Sequence, residues 1–84
     1  SEIVYVEGLG NYVNYHLEDG AKIVVYQSLK KCLEELTKDF VRSHKSFIIN
    51  KKFVKSYSSE NVELPKSTFL PISSSLDLET FSIS

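Results

Sequence analysis

One short segment of the chain concentrates the side chains that could do chemistry. Residues 42–46 read Arg-Ser-His-Lys-Ser, and the apolar run Phe-Ile-Ile follows directly at residues 47–49. A loop anchored by such a run could hold phosphates through its charges and reach base edges with its hydrogen-bond donors. An ordinary surface loop has a similar composition, and the segment alone does not separate these two interpretations.

The charge pattern singles out the same region. The chain of 84 residues has a formal net charge of -1, but residues 38–55 carry six basic residues and one acidic residue. The flanking segments, residues 1–37 and 56–84, are both net acidic. A basic block of this kind can create a local positive field in an almost neutral protein, although such blocks also serve as solubilising surface.

Other chemistries find little support in the residues. Cys32 falls on an apolar helical stripe, and His16 and His44 are far apart, without the spacing of metal ligands. Residues 8–10 (GLG) lack the third glycine and the helix of a phosphate-binding loop, and no glycine-flanked nucleophile occurs. We therefore expect no metal, no cofactor and no enzymatic activity, and we expect His16 to be a solvated cross-strand neighbour.

Length and composition indicate one small globular domain spanning residues 1–84. The chain is 42% hydrophobic and 25% charged, which separates it from disordered sequences. No apolar run approaches the roughly 18 residues of a membrane-spanning helix. The single cysteine fits a reducing compartment. We expect a cytoplasmic protein that does not engage a membrane.

The first third of the chain has the patterns of antiparallel strands. Residues 3–6 are β-branched and aromatic and read as a buried strand, with a loop at residues 8–11. Tyr12–Leu17 alternates apolar and polar side chains, which is typical of a half-buried strand. Residues 18–20 end in Asp-Gly, a pair that tolerates the positive φ of a tight turn, so Lys22–Tyr26 should return as the partner strand.

One amphipathic helix is predicted at about residues 28–37. Ser28 can cap its N-terminus, because the hydroxyl accepts a bond from an otherwise unpaired backbone amide. Charged residues at positions 30, 31, 34 and 35 take the outer face. The apolar stripe has the i, i+3, i+4, i+7 spacing and consists of Leu29, Cys32, Leu33, Leu36 and Phe40.

The second half reads as further short strands. Residues 40–42 can be extended, residues 46–50 are ambiguous between a strand and a helical turn, and residues 53–57 alternate like a strand. Apolar residues at positions 62, 64, 69, 70 and 72 predict a hairpin around residues 65–67. Residues 73–75 could cap a short C-terminal helix that carries Leu76, Leu78 and Phe81. The expected fold is mainly β (α+β), with small antiparallel sheets and one clear helix.

Several of these segments resemble one known family. Residues 3–7 followed by 10–13 (GNYV) look like its opening, and residues 27–30 (QSLK) start the helix as they do there. Residues 40–50 (FVRSHKSFIIN) are similar to its signature, an aromatic residue and Arg followed by His-Arg-Ser-Tyr-Ile-Val-Asn. Residues 70–73 (LPIS) match its late Pro-x-Ser element. The chain resembles the LytTR-type DNA-binding domain of LytR/AlgR-family response regulators.

The resemblance, which covers about residues 3–75, implies sequence-specific binding of duplex DNA through loops that enter the major groove. By position, the base contacts would come from Asn11, Lys45 and Ser74. The phosphate contacts would come from Arg42, His44, Lys51 and Lys52, with neutral His44 alternatively orienting the loop by hydrogen bonding. We expect Asn50 to bond the local backbone, because Asn suits chain reversals.

The resemblance also implies partners and a context. They are double-stranded DNA, a homodimer on repeated half-sites, a receiver domain in the intact protein and a cognate sensor kinase of a two-component system. Because the family domain usually begins with one or two more strands, we expect this chain to lack them and any N-terminal receiver domain. Lys45 and Ser74 stand where Arg is common in the family, and neither has its planar fork for guanine. The alternative is a protein-interaction or sensory module that keeps the fold with weak or no DNA binding.

Overall fold

The computed structural model describes residues 2–73, which form eight strands and one α-helix in two sheets. The elements are, in chain order, β1 (Ile3–Leu9), β2 (Tyr12–Leu17), β3 (Lys22–Tyr26), α1 (Leu29–Glu35), β4 (Phe40–His44), β5 (Phe47–Asn50), a 3-10 turn (Lys51–Phe53), β6 (Ser56–Tyr57), β7 (Asn61–Leu64) and β8 (Thr68–Pro71). The predicted mainly-β fold with one helix is confirmed. The predicted C-terminal helix lies outside the described residues.

The two sheets are antiparallel and of unequal size. The larger sheet has five strands in the order β3-β2-β1-β5-β4, and the smaller has the order β6-β7-β8. Since β5 pairs with β1 across a long stretch of sequence, β1 and β5 occupy the centre of the larger sheet. Helix α1 packs on one face of this centre, and the smaller sheet packs on the other.

The central strands supply both apolar layers. On β5, Ile48 lies in the cluster with the helix, and its neighbour Ile49 lies in the cluster with the smaller sheet. On β1, Val6 lies in the cluster with the helix and Val4 in the cluster with the smaller sheet, although residues two apart on a regular strand point to the same face. A bulge explains this, because the pairing with β2 shifts between Ile3 and Tyr5 and leaves Val4 as an extra residue.

The helix follows the predicted pattern. Ser28 accepts a hydrogen bond at Oγ from the Lys31 N–H (3.1 Å), which confirms the predicted N-cap. Leu29 and Cys32 are buried, and the rest of the predicted stripe packs partly buried against the same cluster. The Tyr15 hydroxyl lies 3.2 Å from Cys32 Sγ. Burial raises the pKa of Tyr15 to about 12 and also raises the pKa of the Cys32 thiol, so both groups stay neutral in this core.

The ambiguous residues 46–50 resolve into a strand. Val6 pairs with Ile48 and Tyr5 with Ile49 across β1, and β4 pairs along the other edge of β5. A run this short has no periodicity that separates strand from helix. Pairing on both sides decides it, because every peptide group buried there needs a partner.

Two predicted boundaries are wrong. The loop expected at residues 8–11 is only a two-residue turn at Gly10 and Asn11, because β1 continues through Leu9 and pairs with β2 to Tyr12. The strand expected at residues 53–57 is reduced to Ser56–Tyr57. Asn50 causes this second difference, because its side chain caps the 3-10 turn and reverses the chain there.

Both predicted hairpin turns are confirmed. Gly20 has φ 92° in the β2–β3 turn, which agrees with the Asp-Gly signal. The β7–β8 hairpin closes through residues 65–67, where Lys66 and Ser67 have φ values of 63° and 57°. Left-handed backbone is unusual for residues with a Cβ, so the surrounding strands hold this turn in place.

A side chain at Gly8 would have to displace Leu29, because a Cβ there would lie 2.8 Å from Leu29 Cδ1 at the start of α1. We expect Gly8→Ala to lower the free energy of unfolding by about 1–3 kcal/mol through overpacking. In a Leu29→Ala background the same change should cost much less, because the clashing methyl group is gone. Urea unfolding of the four proteins measures both costs. Equal costs in the two backgrounds would show that the Leu29 contact is not the reason.

Candidate nucleic-acid interface

Three separate pieces of chain meet at one end of the larger sheet. They are the β1–β2 turn, the β4–β5 turn and the start of α1. The Gly8 N–H donates to the Ser46 carbonyl (2.7 Å), and the Gln27 N–H donates to the Asn11 carbonyl (3.1 Å). The pairing of β1 with β5 produces this arrangement, because β1 ends at the edge where β5 begins.

A shallow groove of about 290 Å³ opens between these pieces. We call it the basic groove, and it is lined by Gly8, Gly10, Ser28, Leu29, Lys30, Arg42, Lys45 and Ser46. Among the described residues, its lining has three cationic side chains and no acidic one. Such a site attracts anions, since these positive charges line one groove and no carboxylate from residues 2–73 lies among them.

Hydrogen bonds hold the β4–β5 turn in one conformation. Arg42 Nη2 donates to the Lys45 carbonyl (2.7 Å) across the turn. The Ser46 N–H donates to His44 Nδ1 (3.1 Å), and the His44 ring packs against Phe47 with centroids 5.9 Å apart. Because Nδ1 accepts this bond, a neutral His44 carries its proton on Nε2. Of the two roles predicted for His44, the geometry favours orientation of the loop.

A bulge in β4 sets the directions of Arg42 and Ser43. Val41 pairs with Ile49 and His44 with Phe47, so Arg42 and Ser43 together oppose Ile48. Ser43 is fully buried, and its carbonyl accepts the Ser73 N–H (2.7 Å), while Arg42 is exposed. The bulge thereby places the Ser43 side chain in the core and leaves the preceding Arg42 side chain exposed.

Two of the three predicted base-contact residues lie at this end of the sheet. Asn11 is exposed in the β1–β2 turn beside Gly10, and Lys45 is exposed in the groove itself. The structure therefore brings these two together at the same end of the sheet. Ser74 lies outside the described residues. The neighbouring Ser73 is bonded to Ser43, two residues before Lys45.

Lys30 is a groove residue that the sequence reading did not select. It is the second residue after the Ser28 N-cap, and the helical pattern assigns it only to the outer face of α1. A lysine on that face points to no particular partner. Its place beside Arg42 depends on the packing of the helix start against Gly8, which no local pattern contains.

Lys51 and Lys52 do not lie in the basic groove. They follow β5 at its far end, about 13 Å along a four-residue strand from the β4–β5 turn. The Lys52 ammonium donates to Glu2 Oε1 (3.0 Å), and this bond raises the Lys52 pKa. The basic block of residues 38–55 is therefore divided between two ends of the sheet.

The expectation that Asn50 bonds the local backbone is confirmed. It is 3% exposed, and its Nδ2 donates to the Ile3 carbonyl (2.8 Å). Its Oδ1 accepts the Lys52 N–H (3.0 Å). Asn50 thus joins β1 to the chain reversal after β5 and is too buried to reach a ligand.

The expectation of a solvated His16 is wrong. Its side chain is 15% exposed, its ring stacks on Tyr5 with centroids 4.0 Å apart, and its Nε2 lies 3.2 Å from Glu7 Oε1. The β1–β2 pairing sets Tyr5 opposite His16, and the smaller sheet packs nearby. The alternation of β2 does not reveal that its polar face is partly covered.

Comparison with known proteins agrees with this geometry. The family described as the LytTr DNA-binding domain matches residues 1–77. This chain belongs to the LytTR family. A solved structure described as the LytTr DNA-binding domain of a response regulator from Bacillus cereus is similar, with a TM-score of 0.75 and 24% identity. The match covers 87% of this chain and 72% of that one. No curated protein matches in sequence.

Membership of the LytTR family confirms the resemblance that residues 40–50 carried and supports DNA binding. Within residues 2–73, no group of three or more His, Cys, Asp or Glu residues could hold a metal ion. No helix in that part of the chain is long and apolar enough to cross a membrane.

Asn50→Ala should lower the free energy of unfolding by about 1–3 kcal/mol, because it leaves the Ile3 carbonyl and the Lys52 amide without their buried partner. Lys52→Gln is the matched comparison. It should have no measurable effect, since both members of its ion pair with Glu2 are more than half exposed. Urea unfolding monitored by circular dichroism measures both. A larger loss for Lys52→Gln would contradict this assignment.

Proposed function

We propose that this chain binds duplex DNA sequence-specifically by inserting the β1–β2 and β4–β5 turns into the major groove. The observation that carries the proposal is the convergence of Lys30 from α1 with Arg42 and Lys45 from the β4–β5 hairpin on one groove, which has no acidic residue among its described lining residues. Family membership supports the same ligand. The interface has no recognition helix, because α1 is only seven residues long and covers the core with its apolar side.

Lys45 and Asn11 are the proposed base contacts. Both are exposed at turn tips, which can enter a major groove more deeply than residues within a strand. A lysine ammonium can donate to the O6 and N7 atoms of guanine, and an asparagine amide can pair with N6 and N7 of adenine. The bonds of Arg42 and His44 to the β4–β5 turn hold the Lys45 backbone in place before DNA arrives.

Arg42 and Lys30 are the proposed phosphate contacts on either side of Lys45. One N–H group of Arg42 donates to the Lys45 carbonyl, and the guanidinium has further N–H groups that can donate to a phosphate oxygen. Lys30 reaches from the first turn of α1 and extends the basic groove beyond the predicted set. Neutral His44 can add its Nε2–H while it orients the turn.

The remaining predicted contacts form weaker parts of the proposal. Lys51 and Lys52 would touch phosphates at the far end of the sheet, where Lys52 must first leave Glu2. Ser74 would be the third base contact by its position in the family pattern. The bond from Ser73 to Ser43 favours an approach of the chain to the β4–β5 turn.

The regulatory context is also proposed. The domain would be the cytoplasmic output module of a two-component transcriptional response regulator. It would bind repeated half-sites as a homodimer, with a receiver domain and a cognate sensor kinase supplying the signal. The similar Bacillus cereus domain belongs to a response regulator, which supports this context.

A protein-interaction module is the second candidate, and one observation favours it. The edge strand β3 exposes Ile23, Val24 and Tyr26 by 49%, 59% and 73% of their surfaces. Within residues 2–73 the outer edge of β3 pairs with no strand, and exposed apolar side chains on such an edge suit pairing with another protein. Such binding would depend on apolar burial, so its salt dependence would be weak.

The DNA proposal predicts retention of a specific duplex from a random-sequence pool at low salt. The affinity should then fall steeply as salt rises. If three phosphates are neutralised at about -0.9 each, the log–log slope should be about -2.7. Fluorescence anisotropy with the selected duplex measures this slope. Failure to retain any duplex at low salt would reject the proposal.

Lys45 and Lys30 should respond differently to replacement. Lys45→Ala should cost about 1–3 kcal/mol of binding free energy and relax the preference at one base pair, because it removes a base contact. Lys30→Ala should weaken all sequences about equally and make the salt slope less steep by about 0.9, because it removes a phosphate contact. Lys31→Ala is the matched control, since Lys31 is exposed beside Lys30 but does not line the basic groove. A uniform loss for Lys45→Ala would make Lys45 a phosphate contact.

A further inference from the structure

A second concave site lies at the opposite end of β2 from the basic groove. It is a cleft of about 470 Å³ between the β2–β3 turn and the β7–β8 turn, so the two sheets form its two sides. None of its lining residues lines the basic groove. Its volume lies within the range of roughly 300–1,000 Å³ that small-molecule sites occupy.

The inner wall of the cleft is apolar and partly flat. Apolar side chains contribute from β2, the 3-10 turn and the β7–β8 turn, namely Leu17, Phe53 and Pro65. The Tyr5 and His16 rings also line the cleft, and they are stacked nearly parallel, with an interplanar angle of 9°. Glu7 holds the His16 ring through Nε2. This wall is suited to a planar, apolar ring system.

Two ammonium groups belong to the same cleft. Lys22 comes from the start of β3, and Lys66 comes from the left-handed turn between β7 and β8. Lys66 Nζ lies 3.6 Å from the point where a Cβ on Gly20 would be, so its side chain spans the gap between the two turns. Within residues 2–73, neither ammonium lies within salt-bridge distance of a carboxylate.

The remaining charge in the lining is small. Glu18 is the single acidic residue among the described lining residues, and it stands against two lysines. His16 is already engaged with Glu7. The described lining residues therefore combine an apolar wall with one excess positive charge carried by two lysines, which is a pattern suited to an amphipathic anion.

We propose that this cleft binds a small planar aromatic carboxylate. The ring system lies against the wall formed by Leu17, Phe53 and the stacked Tyr5–His16 pair, and the carboxylate lies between Lys22 and Lys66. The ligand would bridge the two sheets, because its ring contacts and its charge contacts come from both. The site is separate from the proposed DNA contacts.

A titration of the ¹⁵N-labelled protein with 1-naphthoate tests the proposal. Amide shifts should concentrate at residues 16–22 and 65–68. The double variant Lys22→Gln, Lys66→Gln should weaken binding by about threefold to tenfold, as expected for two partly exposed ion pairs. The control Lys31→Gln removes an exposed lysine on α1 and should leave the affinity unchanged. The neutral probe 1-naphthalenemethanol should not distinguish the double variant from the parent protein.

A blocking variant provides a second, independent arm. Ala21 lines the cleft and is exposed, so Ala21→Phe fills the cleft without burying a new group in the core. It should abolish the titration while the rest of the amide spectrum stays unchanged. Undiminished binding in this variant, or shifts centred on Lys30, Arg42 and Lys45, would overturn the proposal. No DNA is present in the experiment, so its result is independent of the proposed DNA binding.

Discussion

The structure depends on the pairing of β1 with β5. Residues more than forty positions apart meet there, with Val6 opposite Ile48 and Tyr5 opposite Ile49. Both strands are covered on two faces, so their side chains alternate between the helix cluster and the cluster of the smaller sheet. A domain of this size has little interior, and two strands that serve both layers let one central sheet support two apolar clusters.

The same pairing produces the candidate interface. Where β1 approaches its end, Gly8 bonds to Ser46 of the β4–β5 turn, and the missing side chain of Gly8 lets the start of α1 pack closely. Lys30 of α1 is thereby brought together with Arg42 and Lys45 of the β4–β5 hairpin in the basic groove. The turn that carries Lys45 is held by Arg42 and His44, so the groove is organised before any ligand binds.

The two ends of the larger sheet differ in whether their basic side chains lie beside acidic ones. At the groove end, three cations have no acidic residue beside them among the described lining residues. At the far end of β5, Lys52 is paired with Glu2. An almost neutral protein can therefore present a local positive surface, because its acidic residues are used at other places.

The sequence alone determined the local elements and the family. The Asp-Gly turn, the Ser28 cap, the helical stripe and the β7–β8 hairpin were predictable because each depends on residues close together in the chain. Residues 40–50 indicated the DNA-binding family, and with it the contribution of Arg42 and Lys45 to the site. Tertiary structure decided the rest. Residues 47–50 are a strand because β1 and β4 pair with them. Lys30 joins the groove because α1 packs on Gly8, and Lys52 lies outside it because it follows the far end of β5. Contacts between distant segments set these outcomes, and a local pattern of hydrophobicity or charge does not contain them.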